Sequence, residues 1–448
     1  MSIRTVLRKL ERGELSSEDL VRDHLRRAEE ISGANAFITL REEQALSEAR
    51  ASDEARSRGR VLGPLEGVPV TAKDIVWSKG DRTTSGSRLR ATFVSDRDAE
   101  ALARVRAAGA ILLGKTNLHE FAYGVTNVNP HYGPARNPWD RSRISGGSSG
   151  GSAVAVAFGV GLASIGSDTG GSVRIPSALC GTVGLKPTYG SIPRDGVTPL
   201  SWSLDHLGPM ARSVEDAAVL YEVMSETRIE LEDEPEVRGL RLGIHESYFF
   251  ENLAGEVEVC IRRAVDRLVD LGMAPVRVRI PEVELQGACR NTIAFAEASS
   301  YHEQDIREKP EEYGEDTREL LRIGLEISAV EYLTALRARR RIVRAFREAF
   351  AAIDVFVAPT TPTGAPRIGE RMLENGEELR AGLLRLASPF NTTGFPAISL
   401  PCGFTADGRP VGLQLAAAPR EERLLLSVAR AFEASCANED WSSRRPAV

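Results

Sequence analysis

Hydrophobic positions along this chain recur with two alternating periods. Residues 2–32 carry apolar side chains at helical spacing among charged ones, and Ser16-Ser17-Glu18-Asp19 supplies an N-cap ahead of LVRDHLRRAEEI, so this segment predicts amphipathic helices. Val61 to Ile75 opens on the turn residues Gly63-Pro64 and Gly67 and passes into the β-prone run VPVTA, which predicts a buried strand over Val68–Ala72 ending at Lys73. Asp98 to Ala108 reads as a helix, Ile111 to Leu113 as a short strand, and Val214 to Met224 as a further helix after a Gly/Ser-rich core. Residues 226–237 (ETRIELEDEPEV) are acidic and polar, a surface connection, and Leu240 to His245 resumes a strand. From Glu256 to Phe350 the pattern is mainly helical, closing on the basic segment LTALRARRRIVRAFREAF. The last part returns to strands and turns in DVFVAPTTPT, PAISLPCGF and PVGLQLAA. Such β/α alternation predicts an α/β fold with a mostly parallel sheet covered by helices.

Composition adds bounds. At 448 residues the chain has room for two or three domains, or for one large α/β unit. With 42% hydrophobic and 27% charged residues and a net charge of -6, it reads as a globular protein with no electrostatic argument for nucleic acid or an anionic membrane as partner. The N-terminal residues are charged throughout and no apolar stretch reaches spanning length, so a cytoplasmic protein is expected. Cys180, Cys260, Cys289, Cys402 and Cys436 are dispersed and odd in number, which reads as reduced, buried thiols. Nearly all basic residues are arginine. Lysine stands only at positions 9, 73, 79, 115, 186 and 309, and in such a chain a lysine can be there for its titratable amine.

The chemistry concentrates in Ile144 to Gly190, where two Gly-Gly-Ser turns, Gly146-Gly147-Ser148 and Gly170-Gly171-Ser172, flank a small-residue apolar run. Glycine permits close backbone approach, and a serine in such a turn sets a hydroxyl beside bare N–H groups, as acyl transfer requires. Ser172 follows Asp168-Thr169-Gly170-Gly171, so the N–H groups of Thr169 to Ser172 can form a nest for an oxyanion. Neither turn is followed by Lys-Ser/Thr, so a P-loop is excluded. Gly146-x-Ser148-x-Gly150 matches a nucleophile elbow, but that fold needs a late histidine and none follows His302. No Ser-x-x-Lys occurs. Lysine remains as a base if burial makes it neutral, and Lys73, at the end of an apolar strand, is the candidate. The competing reading is a buried lysine paired with Asp74. Cys180 lies in an apolar run and reads as a packed thiol, and no His/Cys/Asp cluster has metal-ligand spacing, so neither metal nor cofactor is expected.

Gly146 to Pro187 resembles the defining motif of the amidase signature family of serine hydrolases. Lys115-Thr116-Asn117, Glu120-Phe121-Ala122, Asn137-Pro138-Trp139-Asp140, Pro359-Thr360-Thr361-Pro362 and the run from Pro389-Phe390-Asn391 to Gln414 fit the same family. The resemblance implies a large mixed, mostly parallel β-sheet covered by helices on both faces. It implies a single domain over 1–448, with an N-terminal helical part (1–60), a catalytic core (61–225), a helical substrate-shaping region (250–350) and a C-terminal return to the sheet (351–448). It implies a Ser–Ser–Lys triad: Ser172 as nucleophile, Ser148 as bridging serine after a cis peptide, and Lys73 as base. Thr169, Gly170, Gly171 and Ser172 would form the oxyanion hole. Ser149 and Ser152 would support the loop, as would a buried pair of Asp168 and Arg174. Phe121, Ala122 and Tyr123 would line the substrate pocket with residues of 290–340.

The family also includes the glutaminase component of a tRNA-dependent amidotransferase. In that component, one helical arginine holds the glutamine carboxylate, here Arg339 or Arg340, and an acid before the P-x-N turn holds the amino group. Leu384 stands near that site, with no acid until Glu378. An unpaired ammonium in a closed pocket is costly. The expectation is therefore a stand-alone hydrolase, monomer or homodimer, for a neutral or hydrophobic small-molecule amide or carbamate, with no nucleic acid and no membrane as partner.

Overall fold

The computed structural model describes residues 1–59, 63–232 and 235–447. The expected boundary at 60/61, the first two residues of Val61–Ile75, and residues 233 and 234 of the acidic connection lie outside the described residues. The strands are β1 (Phe37–Leu40), β2 (Pro69–Lys73), β3 (Ile111–Thr116), β4 (Val128–Asn129), β5 (Gly133–Pro134), β6 (Ala163–Asp168), β7 (Val183–Lys186), β8 (His206–Ala211), β9 (Arg241–Ile244), β10 (Ala274–Arg277), β11 (Val355–Pro359), β12 (Ala397–Phe404) and β13 (Pro410–Ala417). Among the described residues β4 and β5 pair separately, and the other eleven form one sheet in the order β1-β3-β2-β6-β8-β7-β12-β13-β11-β9-β10.

The large mixed sheet is as expected, but its parallel share is smaller. β3-β2-β6 and β11-β9-β10 are parallel blocks at either side, contributing four neighbour pairs. The other six pairs, including the whole centre β8-β7-β12-β13, are antiparallel. For the pair β12–β13 the reason is connection length. A parallel neighbour needs a long crossover, whereas β12 and β13 are joined through a tight turn containing Asp407-Gly408.

β2, β3, β6, β8, β11 and β13 are buried at every position, so they show no polar alternation and need cover on both faces. The helix Gly150–Ala157 packs on β6 and β8, and Arg174–Cys180 packs on β12 and β13. Two strands fall where only helices were expected: β1 within residues 1–60 and β10 within 250–350. Both are four-residue edge strands with exposed positions, and such short edges carry little hydrophobic pattern.

The largest hydrophobic cluster runs from Ile3 to Cys436 and joins the first helix to the last. Within it Phe390 meets the rings of Phe249, Phe346 and Phe356 at centroid distances of 6.2, 6.0 and 6.0 Å. Phe390→Ala is expected to cost about 3–5 kcal/mol, read from denaturant unfolding. A loss below about 1 kcal/mol would mean that this ring does not anchor the core.

Candidate active site

Lys73 ends β2 with its side chain fully buried. Its Nζ hydrogen-bonds Ser148 Oγ at 2.6 Å and Ser167 Oγ at 2.8 Å. Burial pulls its pKa down from 10.5 to about 7, with Asp168 and Asp205 opposing at longer range. The competing pairing with Asp74 goes to another lysine: Asp74 meets Lys115 Nζ at 3.0 Å and accepts from Thr84. Among the described residues Lys73 is thus left with hydroxyl partners alone.

The Gly147–Ser148 peptide is cis. Ser149 follows, giving its N–H to Ser172 O at 3.2 Å and its hydroxyl to Ser167 O at 3.1 Å, so the two Gly-Gly-Ser turns meet. Ser152 lies one helical turn deeper and bonds Thr116 Oγ1 at 2.7 Å. Among the described residues no hydrogen bond joins the hydroxyls of Ser148 and Ser172.

The second turn is held by Asp168 and Arg174, both fully buried and paired at 3.0 Å. Asp168 accepts from the N–H groups of Gly171, Val173 and Arg174 and from Asn391 Nδ2. Arg174 also donates to Ala387 O, Gln414 Oε1 and Asn391 Oδ1. Burial alone raises the Asp168 carboxyl, and the Arg174 charge and hydrogen bonds outweigh it, holding the group well below the usual carboxylate range.

Four oxyanion donors were expected, and the turn leaves three. Gly171 N–H points back to Asp168 Oδ1 at 2.7 Å, while those of Thr169, Gly170 and Ser172 find no acceptor among the described residues. Gly171 sits at φ +129°, and a Cβ there would lie 2.7 Å from Ile175 Cδ1 and 2.8 Å from Ala387 Cβ, so glycine is required. Ser172 is 5% exposed and opens toward solvent-accessible space only slightly.

One cavity borders this turn at Thr169, and a second lies near Gly170. One, of about 290 Å³, is lined by Ala122, Ser167, Thr169, Leu200, Trp202 and Asp205. The other, of about 470 Å³, includes Arg290, Phe295, Glu377, Glu378, Arg380 and Leu384, and a Cβ on Gly170 would meet Leu384 Cδ2 at 2.9 Å and Arg290 Nη1 at 3.7 Å. Of the expected pocket residues, Ala122 lines the first cavity. Tyr123 lies beneath Arg380 and edge-on to Phe295, beside the second. Phe121 is instead packed among His302 and Tyr313, away from both. Cys180 is buried and its thiol bonds Ser145 O at 3.3 Å, distant in role from the turn.

Three contributors escaped the sequence reading. Ser167, the second hydroxyl on Lys73, sits in a fully buried strand, where a polar side chain demands a partner. Asp205 accepts from Thr169 Oγ1 at 2.6 Å, and burial raises its carboxyl to about 6. Arg290 stands in phase with Ile293, Ala294 and Glu297 on the buried face of the helix Gln286–Tyr301, an arginine on an apolar stripe. Arg339 bonds the carbonyls of Thr392 and Ser203, and Arg340 is exposed.

A buried lysine held by two serine hydroxyls thus stands close to a Gly-Gly-Ser turn whose N–H groups are partly without acceptors among the described residues. The chain belongs to the Amidase family, whose description matches residues 19–426, and it is an amide-hydrolysing enzyme. It is 37% identical to the A subunit of the glutamyl-tRNA(Gln) amidotransferase of Cupriavidus necator, over 99% of this chain and 98% of that one. Among solved structures, an amidase superposes with a TM-score of 0.92 at 38% identity, covering 97% of this chain and 99% of its own. The A subunit of the Thermotoga maritima glutamyl-tRNA(Gln) amidotransferase superposes at 0.81 with 33% identity, covering 97% and 94%.

These likenesses overturn the expected stand-alone hydrolase for a neutral amide or carbamate, and with it the expected monomer or homodimer without nucleic acid. The curated relatives similar over full length, of which that of Cupriavidus necator is one, are named as the A subunit of a glutamyl-tRNA(Gln) amidotransferase. The physical reason for the error is visible around Leu384. The segment before Pro389 has no acid, but the fold turns Glu377 and Glu378 onto the same cavity lining. Among the described residues no helix is long and apolar enough to cross a membrane, and no cluster of acidic, His and Cys side chains is arranged to hold a metal.

Arg174→Met leaves a buried Asp168 without its counter-charge. The expected loss is about 3–5 kcal/mol in denaturant unfolding. A variant as stable as the parent would show that Asp168 does not depend on the pair.

Proposed function

We propose that this chain is the glutamine-hydrolysing subunit of an amidotransferase of the glutamyl-tRNA(Gln) type, working through an acyl-enzyme on Ser172. The observation that carries the chemistry is the 2.6 Å contact of Lys73 with Ser148, made by an amine that burial brings to about 7. Neutral Lys73 Nζ takes the Ser148 proton as Ser148 Oγ takes that of Ser172, and Ser172 Oγ attacks the amide carbon. The N–H groups of Thr169, Gly170 and Ser172 receive the oxyanion. The proton returns along the same path to the leaving nitrogen, ammonia departs, and water repeats the cycle on the ester. Ser149, Ser167, Asp168 and Arg174 position these groups without touching substrate.

Glutamine as amide donor is supported by the full-length likeness to amidotransferase A subunits and by the second cavity. There Glu377 Oε2 is buried without a hydrogen-bond partner, an acceptor suited to an ammonium, although its Oε1 pairs with Arg385. Leu384 then contacts the aliphatic part of the side chain.

Two measurements test this reading. Only the neutral amine of Lys73 accepts a proton, so kcat/KM should rise about tenfold per pH unit below about 7 and level above it. Lys73→Ala should lose that inflection together with several orders of magnitude in rate, and an unchanged profile would remove Lys73 as base. Expressed with the other amidotransferase subunits, the chain should support glutamine-dependent amidation of glutamyl-tRNA(Gln). Ser172→Ala should abolish that activity while amidation from added ammonia persists. Glutamine hydrolysis surviving Ser172→Ala, or absent from the complete assembly, would overturn the proposal.

A further inference from the structure

Arg290 carries the observation that the mechanism leaves unused. It lies on the helix Gln286–Tyr301, is 7% exposed, and lines the cavity of about 470 Å³ beside Gly170. Among the described residues its guanidinium forms no ion pair and no hydrogen bond, and its Nε is buried without an acceptor. Its neighbour Arg380 donates to Tyr123 O at 3.2 Å and stacks over the Tyr123 and Phe295 rings, also without an acidic partner within ion-pair distance among the described residues. Burial and the Arg380 charge bring Arg290 down to about 10, so it stays protonated at neutral pH.

A buried cation that the chain does not pair costs several kcal/mol. Among the described residues the other buried arginines have acidic partners: Arg174 reaches Asp168, Asn391, Gln414 and Ala387 O, and Arg41 reaches Glu48, Asp81 and Leu112 O. Arg290 is the exception, and its Nη1 lies 3.7 Å from where a Gly170 Cβ would stand. Gly170 precedes Ser172 by two residues, a chain span of at most about 7 Å. A separation of that order is within the length of a short acyl chain.

We propose that Arg290 is the anchor for a carboxylate at the far end of the substrate's acyl chain, so that the enzyme selects amides ending in an anion over neutral amides of equal length. The fork of Arg290 takes the two carboxylate oxygens, and Arg380 adds its charge from the Tyr123 side. The proposal deepens the preceding one and rests on Ser172 as acyl acceptor. Glutamine, with its α-carboxylate, belongs to the selected class, and the position of the anchor on this helix separates it from Arg339, whose donors are given to Thr392 O and Ser203 O.

The test pairs two amides of the same length in the full assembly, glutaramate (anionic) and pentanamide (neutral). Arg290→Gln should raise KM for glutaramate about 10- to 100-fold with kcat little changed, and leave kcat/KM for pentanamide as it was. Arg290→Lys should recover part of the loss. Equal losses on both amides, or none on either, would overturn the anchor. Thermal unfolding separates a folding defect, since a guanidinium without protein partners should leave the midpoint unchanged or raised on removal. If neither amide is turned over, glutarate binding to the Ser172→Ala chain decides, read by calorimetry. Binding lost in the double variant with Arg290→Gln upholds the anchor while the hydrolytic reading fails, and binding that ignores Arg290, or no binding, refutes it.

Discussion

The buried pair of Asp168 and Arg174 is the constraint on which the site depends. Each ion costs several kcal/mol to desolvate, and the pair is tolerated because nearly every donor and acceptor around it is matched. Asp168 gathers N–H groups from three residues that follow Gly170, which curls the turn inward around its carboxylate. Arg174 ties that turn to Ala387, Asn391 and Gln414, on elements far along the chain. The consequence is subtraction: Gly171 N–H is drawn inward, and among the described residues the N–H groups of Thr169, Gly170 and Ser172 are left without an acceptor.

The same low-dielectric interior acts in opposite ways on neighbouring strands. Lys115 on β3 keeps Asp74 at 3.0 Å, so its charge has a counterpart although burial still pulls it down. Lys73 on β2 contacts only the hydroxyls of Ser148 and Ser167, so burial is opposed only by more distant carboxylates. Two fully buried lysines thus differ in the partners they meet, a carboxylate and a hydroxyl for Lys115 and two hydroxyls for Lys73.

The long buried strands and the second Gly-Gly-Ser turn were legible in the sequence, because continuous apolar runs and glycine-serine turns are local signals. The sheet's antiparallel centre was less so: pairing direction depends on connections, and the Asp407-Gly408 turn between β12 and β13 was the one local clue. β1 and β10 were lost because four half-exposed residues carry no period. At the site, Ser148, Ser172 and Lys73 could be picked out by residue type and family pattern. Ser167, Asp205 and Arg290 could not, since each acquires its meaning from a neighbour distant in sequence. The substrate inference failed for the same reason. It weighed Leu384 against its sequence neighbours, whereas the cavity is lined by Glu377, Glu378 and Arg290 together.

The reach of Arg174 has a consequence for how the protein comes into being. Besides Asp168, its buried guanidinium is satisfied by acceptors on residues 387, 391 and 414, which lie 213, 217 and 240 positions after it. A nascent chain that already displays both Gly-Gly-Ser turns still lacks the groups that stabilise the second. The Gln414 acceptor, in particular, is supplied only by β13. Synthesis therefore separates the making of this turn from the making of its partners by more than two hundred residues.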